Sequence, residues 1–319
     1  MPLDAELPRT HEAPEVDDGV LSPGVWGVVA TPFQGPGLDL DRTSLARIAA
    51  HFEATGATGL TVLGVFGEAA QLSASERRTV LATVVDAVDL PLVVGTTALA
   101  TAPLLDELTL VQEATGARLA AAMVQVNTAR PDVLRRHLTA VHEATGLAVV
   151  VQDYPVASGV RIGTDELGAA LAGLPFVAAV KAESPPTTVA VAALTRRLDV
   201  PVFGGLGGLG LLDELAAGAA GAMTGFSFPE GLVACVEAWH RGGFPAARAA
   251  FAPFLPLIAF EQQPGIALAI RKECLRRRGL VDESGVRPPA AALPGALVDQ
   301  LARQVDAMAS VVQDGTGVA

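Results

Sequence analysis

Short apolar runs recur along this chain with helical segments between them, and this repetition constrains the fold more than any other feature. The eight runs are Val25–Ala30, Gly59–Leu63, Pro91–Gly95, Leu119–Val124, Leu147–Val151, Val177–Val180, Val200–Phe203 and Gly221–Thr224. Their spacing of roughly 20 to 35 residues is the repeat length of a strand followed by a helix. Eight such units predict an α/β fold of the (β/α)8 or TIM-barrel type rather than an open doubly wound sheet, although spacing alone does not encode the strand order.

Three predicted helices end on nearly the same short sequence. These endings are Glu53-Ala-Thr-Gly-Ala57, Glu113-Ala-Thr-Gly-Ala117 and Glu143-Ala-Thr-Gly-Leu147. Each places a glycine where helices commonly end in a left-handed conformation, just before the next predicted strand. The repeated ending therefore agrees with the strand–helix periodicity.

The predicted elements divide the chain into four parts. We expect a flexible N-terminal tail over residues 1–21, the barrel over 22–243, C-terminal helices over 244–312 and a flexible tail over 313–319. After a predicted eighth barrel helix around Gly231–Arg241, Ala246–Arg278 and Pro294–Val311 look helical. These segments form either a C-terminal helical extension or an oligomer interface.

Composition narrows the possible partners and the compartment. Half of the residues are hydrophobic, 18% are charged and the net charge is −12, which predicts a compact globular protein and argues against nucleic acid or an anionic membrane as partner. Cys235 and Cys274 lie in predicted helices without metal-ligand spacing and suit a reducing compartment. Residues 1–20 lack the regions of a signal peptide, and Val202–Met223 contains several glycines and two carboxylates. We therefore expect a cytoplasmic protein that acts on a small molecule.

One lysine ends an apolar run that reads as a buried strand. Lys181 follows Val177–Val180. An ammonium buried in such a strand loses its hydration, and this is costly unless the ammonium is paired. A buried lysine amine can attack a carbonyl; alternatively, the side chain reaches solvent from the strand end or pairs with Glu183. Because side chains alternate along a strand, Lys181 and Glu183 should face the same way, into the barrel.

Active sites of such barrels are built from the C-terminal ends of the strands. The candidate catalytic residues at these ends are Lys181, Glu183 and Gln152. The candidate substrate-binding residues are Thr31, Val65, Phe66, Gly67, Tyr154, Gly205, Met223 and Thr224. Gln152 cannot titrate, so it would orient substrate or water.

No metal or cofactor is expected from the sequence. The histidines His11, His51, His137, His142 and His240 fall in the tail or in predicted helices, without the spacing of metal ligands. His137 and His142 are interpreted as helix-surface residues.

A glycine run follows the seventh predicted strand. Gly205-Leu-Gly-Gly-Leu-Gly210 fits the G-x-G-x-x-G pattern of dinucleotide-binding sites, yet it comes late in the chain rather than in an early strand–helix–strand unit. Three interpretations remain: a tight turn that leaves room for a substrate, a phosphate cradle, or a dinucleotide site that would make the protein a nicotinamide oxidoreductase.

Several motifs in order resemble a known family. They are Gly24-Val, Ala30-Thr-Pro-Phe33, Gly64-x-x-Gly-Glu68, Leu72-Ser, Glu76-Arg77, Tyr154-Pro155, Lys181, Gly218-Ala with Gly221, Arg271–Leu280 and Val286-Arg-Pro288. This set is similar to the dihydrodipicolinate synthase and N-acetylneuraminate lyase superfamily over about residues 22 to 290. The resemblance implies a barrel, usually assembled as a homotetramer, whose strand-six lysine forms a Schiff base with a 2-keto acid without a cofactor.

The chain departs from the family's pattern at the substrate-binding positions. Pyruvate-using members commonly have two threonines where this chain has Val65 and Phe66, which leaves only backbone N–H groups of that loop for the substrate carboxylate. The arginine that dihydrodipicolinate synthases place after strand five corresponds to Ala157. These two departures argue against dihydrodipicolinate synthesis.

The family's proton relay is also missing. Its catalytic tyrosine on strand five corresponds to Gln152, the adjacent asparagine to Asp153, and the tyrosine pair after strand four to Val126 and Asn127. Glu183 becomes the candidate for proton transfer, with a role as ion-pair partner of Lys181 as the alternative. Tyr154 can supply a hydroxyl only if the strand stays regular up to Pro155.

A further set of residues is similar to one subgroup of the family. Phe66-Gly-Glu68, Gln152-Asp153 with Pro155, Lys181-x-Glu183 and Gly221-Ala-Met-Thr-Gly225 with Phe228-Pro-x-Gly231 resemble the subgroup that contains L-2-keto-3-deoxyarabonate dehydratases. The resemblance implies a Schiff-base lyase that dehydrates a 2-keto-3-deoxy sugar acid. The alternatives are a pyruvate-type aldolase, which would use Lys181 equally, and a catalytically altered homologue that binds a keto acid or serves as a structural subunit.

Overall fold

A computed structural model of the chain describes residues 19–315. Of the expected tails at 1–21 and 313–319, residues 1–18 and 316–319 lie outside the described residues. Eight strands form one closed barrel: β1 Gly24–Val28, β2 Gly59–Val62, β3 Leu92–Gly95, β4 Leu119–Gln125, β5 Val149–Asp153, β6 Val177–Ala182, β7 Val202–Gly204 and β8 Gly221–Thr224. Every neighbouring pair is parallel, and β1 closes the barrel by pairing with both β2 and β8. The predicted TIM barrel is confirmed, and the open sheet is excluded.

Helices follow the strands and cover the barrel. They are α1 Arg42–Ala54, α2 Ala74–Ala87, α3 Thr101–Thr115, α4 Pro131–Thr145, the short α5 Pro155–Ser158, α6 Thr164–Leu171, α7 Thr187–Thr195, α8 Leu211–Ala216 and α9 Pro229–Phe251. Strand ends differ from the predicted ones by up to two residues; β5 and β6, for example, continue to Asp153 and Ala182. A two-stranded antiparallel ribbon, Phe33–Gln34 with Asp39–Leu40, precedes α1.

Local sequence explains how these helices begin and end. The side chain of Asp41 accepts a hydrogen bond from the Ser44 N–H at the start of α1, and Ser73 with Glu76 forms a reciprocal capping box at the start of α2. Such caps satisfy N–H groups that have no partner within the helix. Gly56, Gly116 and Gly146 all have positive φ, as the repeated helix endings predict.

Further helices extend the chain beyond the barrel: α10 Leu255–Glu261, α11 Ala267–Arg277 and α12 Val298–Gly315. The predicted continuous helix over Ala246–Arg278 is interrupted at Pro264 and Gly265, where Gly265 has φ +81°. Helix α9 also has non-helical backbone at Gly242 and Gly243. Three helices with sharp turns, rather than one rod, can therefore fold back toward the top of the barrel.

Apolar side chains fill the barrel and the space beneath its helices. Inward-facing residues such as Trp26, Phe203 and Met223 form the packed interior, and Leu21 closes the N-terminal end with its N–H bonded to the Ala178 carbonyl. Between the strands and the outer helices the buried apolar side chains form three clusters, in which few side chains exceed 5% exposure. Burial at this density fixes the positions of the strand ends.

One helical stretch, Pro229–Glu261, is long and apolar enough to cross a membrane by composition. Its Leu232, Cys235 and Phe251 pack into the protein core, so this stretch does not indicate a membrane span.

Candidate active site

Lys181 and Glu183 point into the C-terminal mouth of the barrel, as strand alternation predicts. The Nζ atom of Lys181 lies 3.1 Å from Oε2 of Glu183, and the side chains are 7% and 6% exposed. The lysine therefore does not reach solvent from the strand end; it is buried and paired. An ion pair held this far from water needs further hydrogen bonds to offset the loss of hydration.

Two neutral donors supply those bonds to Glu183. Gln152, which is directly beside Lys181 in the pairing of β5 with β6, donates from Nε2 to Oε2 of Glu183 at 2.7 Å. The Leu206 N–H donates to Oε1 at 3.2 Å. Gln152 thus orients Glu183, the function that its non-titrating carboxamide allows.

These groups share a small chamber of about 60 Å³ at the end of the barrel. Its lining consists of Val28, Gly64, Val65, Phe66, Gln152, Tyr154, Lys181, Glu183, Leu206, Gly207, Thr224, Gly225, Gln262 and Arg271. A wider cavity of about 420 Å³ adjoins it, sharing Gly64, Val65 and Gln152 and adding polar groups such as Thr97 and Gln125. A substrate whose reacting carbon lies in the chamber can therefore extend into the cavity.

The chamber brings together some predicted substrate-binding residues and leaves others out. Val65, Phe66, Tyr154 and Thr224 line it. Gly205 backs it, since a Cβ at Gly205 would collide with the Glu183 carboxylate.

Thr31, Gly67 and Met223 do not line the chamber. The Thr31 hydroxyl donates to the Gly67 carbonyl at 2.6 Å and holds the loop after β2 in place. Met223 faces inward one layer deeper, where it is fully buried beside Trp26 and Phe203. Gly225, the residue directly after that strand ends, does line the chamber.

The glycine run forms a tight turn, Leu206–Gly208, rather than part of an open dinucleotide-binding sheet. Gly207 and Gly208 have φ of +67° and +83°. The Gly207 N–H donates to the Thr224 hydroxyl at 2.8 Å. A side chain at Gly207 would collide with the Gln262 carboxamide, so the close approach of C-terminal residues requires glycine here.

Buried acidic groups surround Glu183. Burial, with the charge of Glu183 adding to it, raises the pKa of Asp153 to about 6. Burial raises the pKa of Glu214 to about 7, with a further contribution from Glu183. The pKa of Tyr154 is raised by burial and by Glu183, so its phenol remains protonated and can donate a hydrogen bond.

Two chamber residues come from the C-terminal helices and were missed by sequence reasoning. Arg271 lies on α11 and Gln262 directly follows α10. Arg271 is the first residue of the Arg271–Leu280 motif in the sequence, but the direction of its side chain depends on how the interrupted helices fold back.

The four histidines within residues 19–315 take no part in this site, and His11 lies outside the described residues. His137 is buried, with Nδ1 2.8 Å from the Thr101 hydroxyl, and His142 stacks on Phe176. The helix-surface interpretation of His137 is therefore wrong, because α3 covers that face of α4. His51 pairs with Glu230, and His240 is exposed. Across residues 19–315 no group of three or more His, Cys, Asp or Glu side chains could hold a metal ion.

Comparison with known proteins places this geometry among lyases. The family model described as the dihydrodipicolinate synthetase family matches residues 21–308. The L-2-keto-3-deoxyarabonate dehydratase of Azospirillum brasilense is 30% identical over 276 residues, covering 83% of this chain and 88% of that protein. The 4-hydroxy-tetrahydrodipicolinate synthase of Kineococcus radiotolerans is 29% identical over 270 residues, covering 83% and 86%.

Solved structures show the same architecture. The crystal structure of dihydrodipicolinate synthase from Rhodopseudomonas palustris superposes with a TM-score of 0.82 at 27% identity, covering 90% of this chain and 99% of that one. The relatives are thus enzymes with at least two different named activities.

Proposed function

Since this chain belongs to the dihydrodipicolinate synthetase family, whose members are class I aldolases and lyases, we propose that it is a Schiff-base-forming lyase that dehydrates a 2-keto-3-deoxy sugar acid. The observation that carries the proposal is the buried amine of Lys181, 3.1 Å from a carboxylate at the mouth of the barrel. The similarity to a dehydratase of such an acid supports the substrate class.

The reaction begins with a proton transfer. Glu183 accepts a proton from the Lys181 ammonium, and the free amine attacks the C2 carbonyl of the keto acid. The carbonyl oxygen takes one proton from the attacking nitrogen and the proton held by Glu183, and it leaves as water. An iminium then joins Lys181 to C2, and Glu183 is again a carboxylate. This iminium withdraws electrons from C3 and makes a C3 proton acidic.

Elimination follows from the iminium. A base removes the C3 proton, the electron pair forms an enamine, and the C4 hydroxyl leaves with a proton as water. Glu183 is the candidate base, because Gln152 and the Leu206 N–H hold it beside Lys181. Tyr154, a neutral phenol in the same lining, is the candidate donor to the leaving hydroxyl. Hydrolysis of the product iminium then restores Lys181.

The setting of this activity is part of the proposal. We expect the enzyme to work in the cytoplasm as a homo-oligomer, without a cofactor. Cys235 and Cys274 are both buried and unpaired, which agrees with a reducing compartment. Analytical ultracentrifugation of the full chain measures the oligomeric state.

Trapping the covalent intermediate tests the proposal. The chain has only two lysines, Lys181 and Lys272, so peptide mapping assigns an adduct directly. After borohydride reduction with pyruvate, or with a panel of 2-keto-3-deoxy sugar acids, we expect intact mass to increase by one substrate-derived unit on Lys181. The Lys181→Ala variant should show no adduct.

The mass of the adduct also distinguishes dehydration from aldol cleavage. Loss of water from a sugar-acid adduct supports the dehydratase, whereas an adduct with the mass of pyruvate from a longer substrate indicates aldol cleavage. A folded parent that forms no adduct with any of these acids would refute the Schiff-base mechanism.

A further inference from the structure

Arg271 carries a buried hydrogen-bond donor for which the described part of the chain provides no acceptor. The residue is 3% exposed. Its Nε atom donates to Oε2 of Glu261 at 3.0 Å, and its guanidinium carbon lies 3.6 Å from the centre of the Phe66 ring. Within residues 19–315 its buried Nη2 atom has no hydrogen-bond partner. A buried guanidinium with one end unsatisfied is costly, and an acceptor supplied by a ligand removes that cost.

Gln262 presents a second unused donor beside it. Its Nε2 atom is buried and has no partner among the described residues. Both side chains line the 60 Å³ chamber that contains Lys181. A Cβ placed on Gly207 would collide with Nε2 of Gln262 and lie 3.3 Å from Nη2 of Arg271. The two donors are therefore neighbours in the chamber lining.

Charge in the chamber favours an anion. Among the lining residues Lys181 and Arg271 are cationic, and only Glu183 is a carboxylate. Glu261, the partner of Arg271, lies outside the lining and is also engaged by the N–H and hydroxyl of Ser227. The lining thus carries one positive charge more than negative. A guanidinium N–H beside a carboxamide N–H matches the two oxygens of a carboxylate.

We propose that Arg271 and Gln262 bind the C1 carboxylate of the 2-keto acid whose C2 carbonyl reacts with Lys181. This inference rests on the proposed function and adds a substrate-recognition site built by the C-terminal helices. The loop after β2 presents Val65 and Phe66, which have no hydroxyl, and Phe66 instead supports the guanidinium. The small chamber encloses C1 and C2, and the remaining carbons extend past Gly64 and Gln152 into the 420 Å³ cavity.

Two carbonyl compounds that differ in charge and by one methyl group test the assignment, because the effect of each variant is compared between them. Pyruvate and freshly prepared methyl pyruvate are titrated separately, and the borohydride-trapped adduct on Lys181 is quantified by intact mass. We expect the parent to label at lower concentrations of pyruvate than of the ester. Arg271→Met should raise the pyruvate concentration for half-labelling by about 10- to 100-fold, the value of a hydrogen bond to a charged group. The ester concentration for half-labelling should change by less than about threefold.

Two further variants keep the test decisive. Gln262→Met removes the carboxamide donors without leaving a buried charge. We expect the pyruvate concentration for half-labelling to rise about tenfold, and the ester titration to stay unchanged. Arg276→Met, on the exposed side of the same helix, is the matched control and should leave both titrations unchanged. Circular dichroism establishes that each variant is folded, and if Arg271→Met does not fold, Gln262→Met decides the question.

The outcomes separate this inference from the proposed function. If the parent is labelled by neither compound, nor by any other keto acid, the Schiff-base proposal fails and this one fails with it. If the parent is labelled on Lys181 but a folded Arg271→Met, or Gln262→Met in its place, keeps the parent's preference for pyruvate, only the carboxylate site is overturned.

Discussion

The side-chain nitrogen of Lys181 lies 3.1 Å from a carboxylate oxygen of Glu183, two residues further along the chain. The pairing places a proton acceptor beside the only lysine in the chamber. An ammonium cannot attack a carbonyl until it loses a proton, so the neighbouring carboxylate has a direct chemical use.

Glu183→Gln should therefore impair turnover more than it impairs folding. The carboxamide preserves size and can still interact with Lys181, Gln152 and the Leu206 N–H, but it cannot accept the proton. Removing a general base typically costs 10²- to 10⁴-fold in rate, so we expect kcat to fall about 100-fold or more. Steady-state dehydration of the active sugar acid measures this effect.

A matched control for that variant is Glu166→Gln, because Glu166 is exposed on α6. It should leave kcat unchanged. A Glu183→Gln enzyme with kcat within threefold of the parent would remove Glu183 from the mechanism and leave it as an ion-pair partner of Lys181.

Tyr154 offers a spectroscopic measurement of the same chamber, since it is the chain's single tyrosine. Burial and the charge of Glu183 raise its pKa. In an absorbance titration of the folded protein, phenolate should appear at higher pH than the ordinary value of about 10. In Glu183→Gln the titration should move to lower pH, while burial keeps it above the ordinary value.

The same titration in denaturant supplies the reference, with phenolate appearing near the ordinary pKa. Circular dichroism defines the pH range in which the protein stays folded. A native titration that coincides with the denatured one would show that the phenol is solvated and not part of an enclosed chamber.

The barrel and the inward direction of Lys181 were predictable because both depend on local sequence. Apolar runs separated by helical segments specify the strands, and the two-residue period of a strand specifies that Lys181 and Glu183 share a face. Met223 shares that inward direction too, but its depth depends on how the strand tilts in the closed barrel. The two-residue period of a strand predicts whether a side chain faces into the barrel, but not how deep in the barrel it lies.

The contribution of the C-terminal helices was not predictable in this way. Arg271 reaches the chamber because the chain bends at Pro264 and Gly265 and folds back over the barrel, a tertiary arrangement with no local period. The glycine run contained a hint, since Gly207 leaves space for a neighbour. Nothing in the sequence identified Gln262 or Arg271 as that neighbour.

The buried carboxyl of Glu214 should make the free energy of unfolding depend on pH. The residue is 1% exposed on α8, and its pKa is about 7 in the folded protein against 4.5 for an unperturbed glutamate. The folded state therefore holds the proton more tightly than the unfolded state. The stabilisation from this group is complete below about pH 4.5 and is lost as the pH rises through 7.

Glu214→Gln removes this loss, because the carboxamide stays neutral throughout. Between about pH 4 and pH 8, the free energy of unfolding of Glu214→Gln should rise relative to the parent by about 3 kcal/mol. Urea unfolding at several pH values measures the difference. The control is Glu166→Gln at an exposed position, which should show a difference from the parent that varies by less than about 0.5 kcal/mol over this range. A constant difference for Glu214→Gln would indicate a carboxylate that is solvated when folded.

The ion pair of Lys272 with Glu68 joins α11 to the loop after β2 and provides a test of how the C-terminal helices are held in place. The two side chains are 1% and 2% exposed, and Glu68 also accepts the Arg287 N–H at 2.8 Å. Lys272→Met leaves Glu68 buried without its cation, which should cost about 3–5 kcal/mol of unfolding free energy. Adding Glu68→Gln should recover a large part of this loss, since a neutral amide can still accept from Arg287.

The exposed pair of Arg47 with Asp282, whose side chains are 37% and 65% exposed, provides the contrast. Arg47→Met should cost about 1 kcal/mol or less, because water screens that pair. Denaturant unfolding of the three variants and the parent gives all the values. Equal losses for Lys272→Met and Arg47→Met would mean that water reaches Glu68, and that α11 is not anchored to the barrel through a desolvated charge.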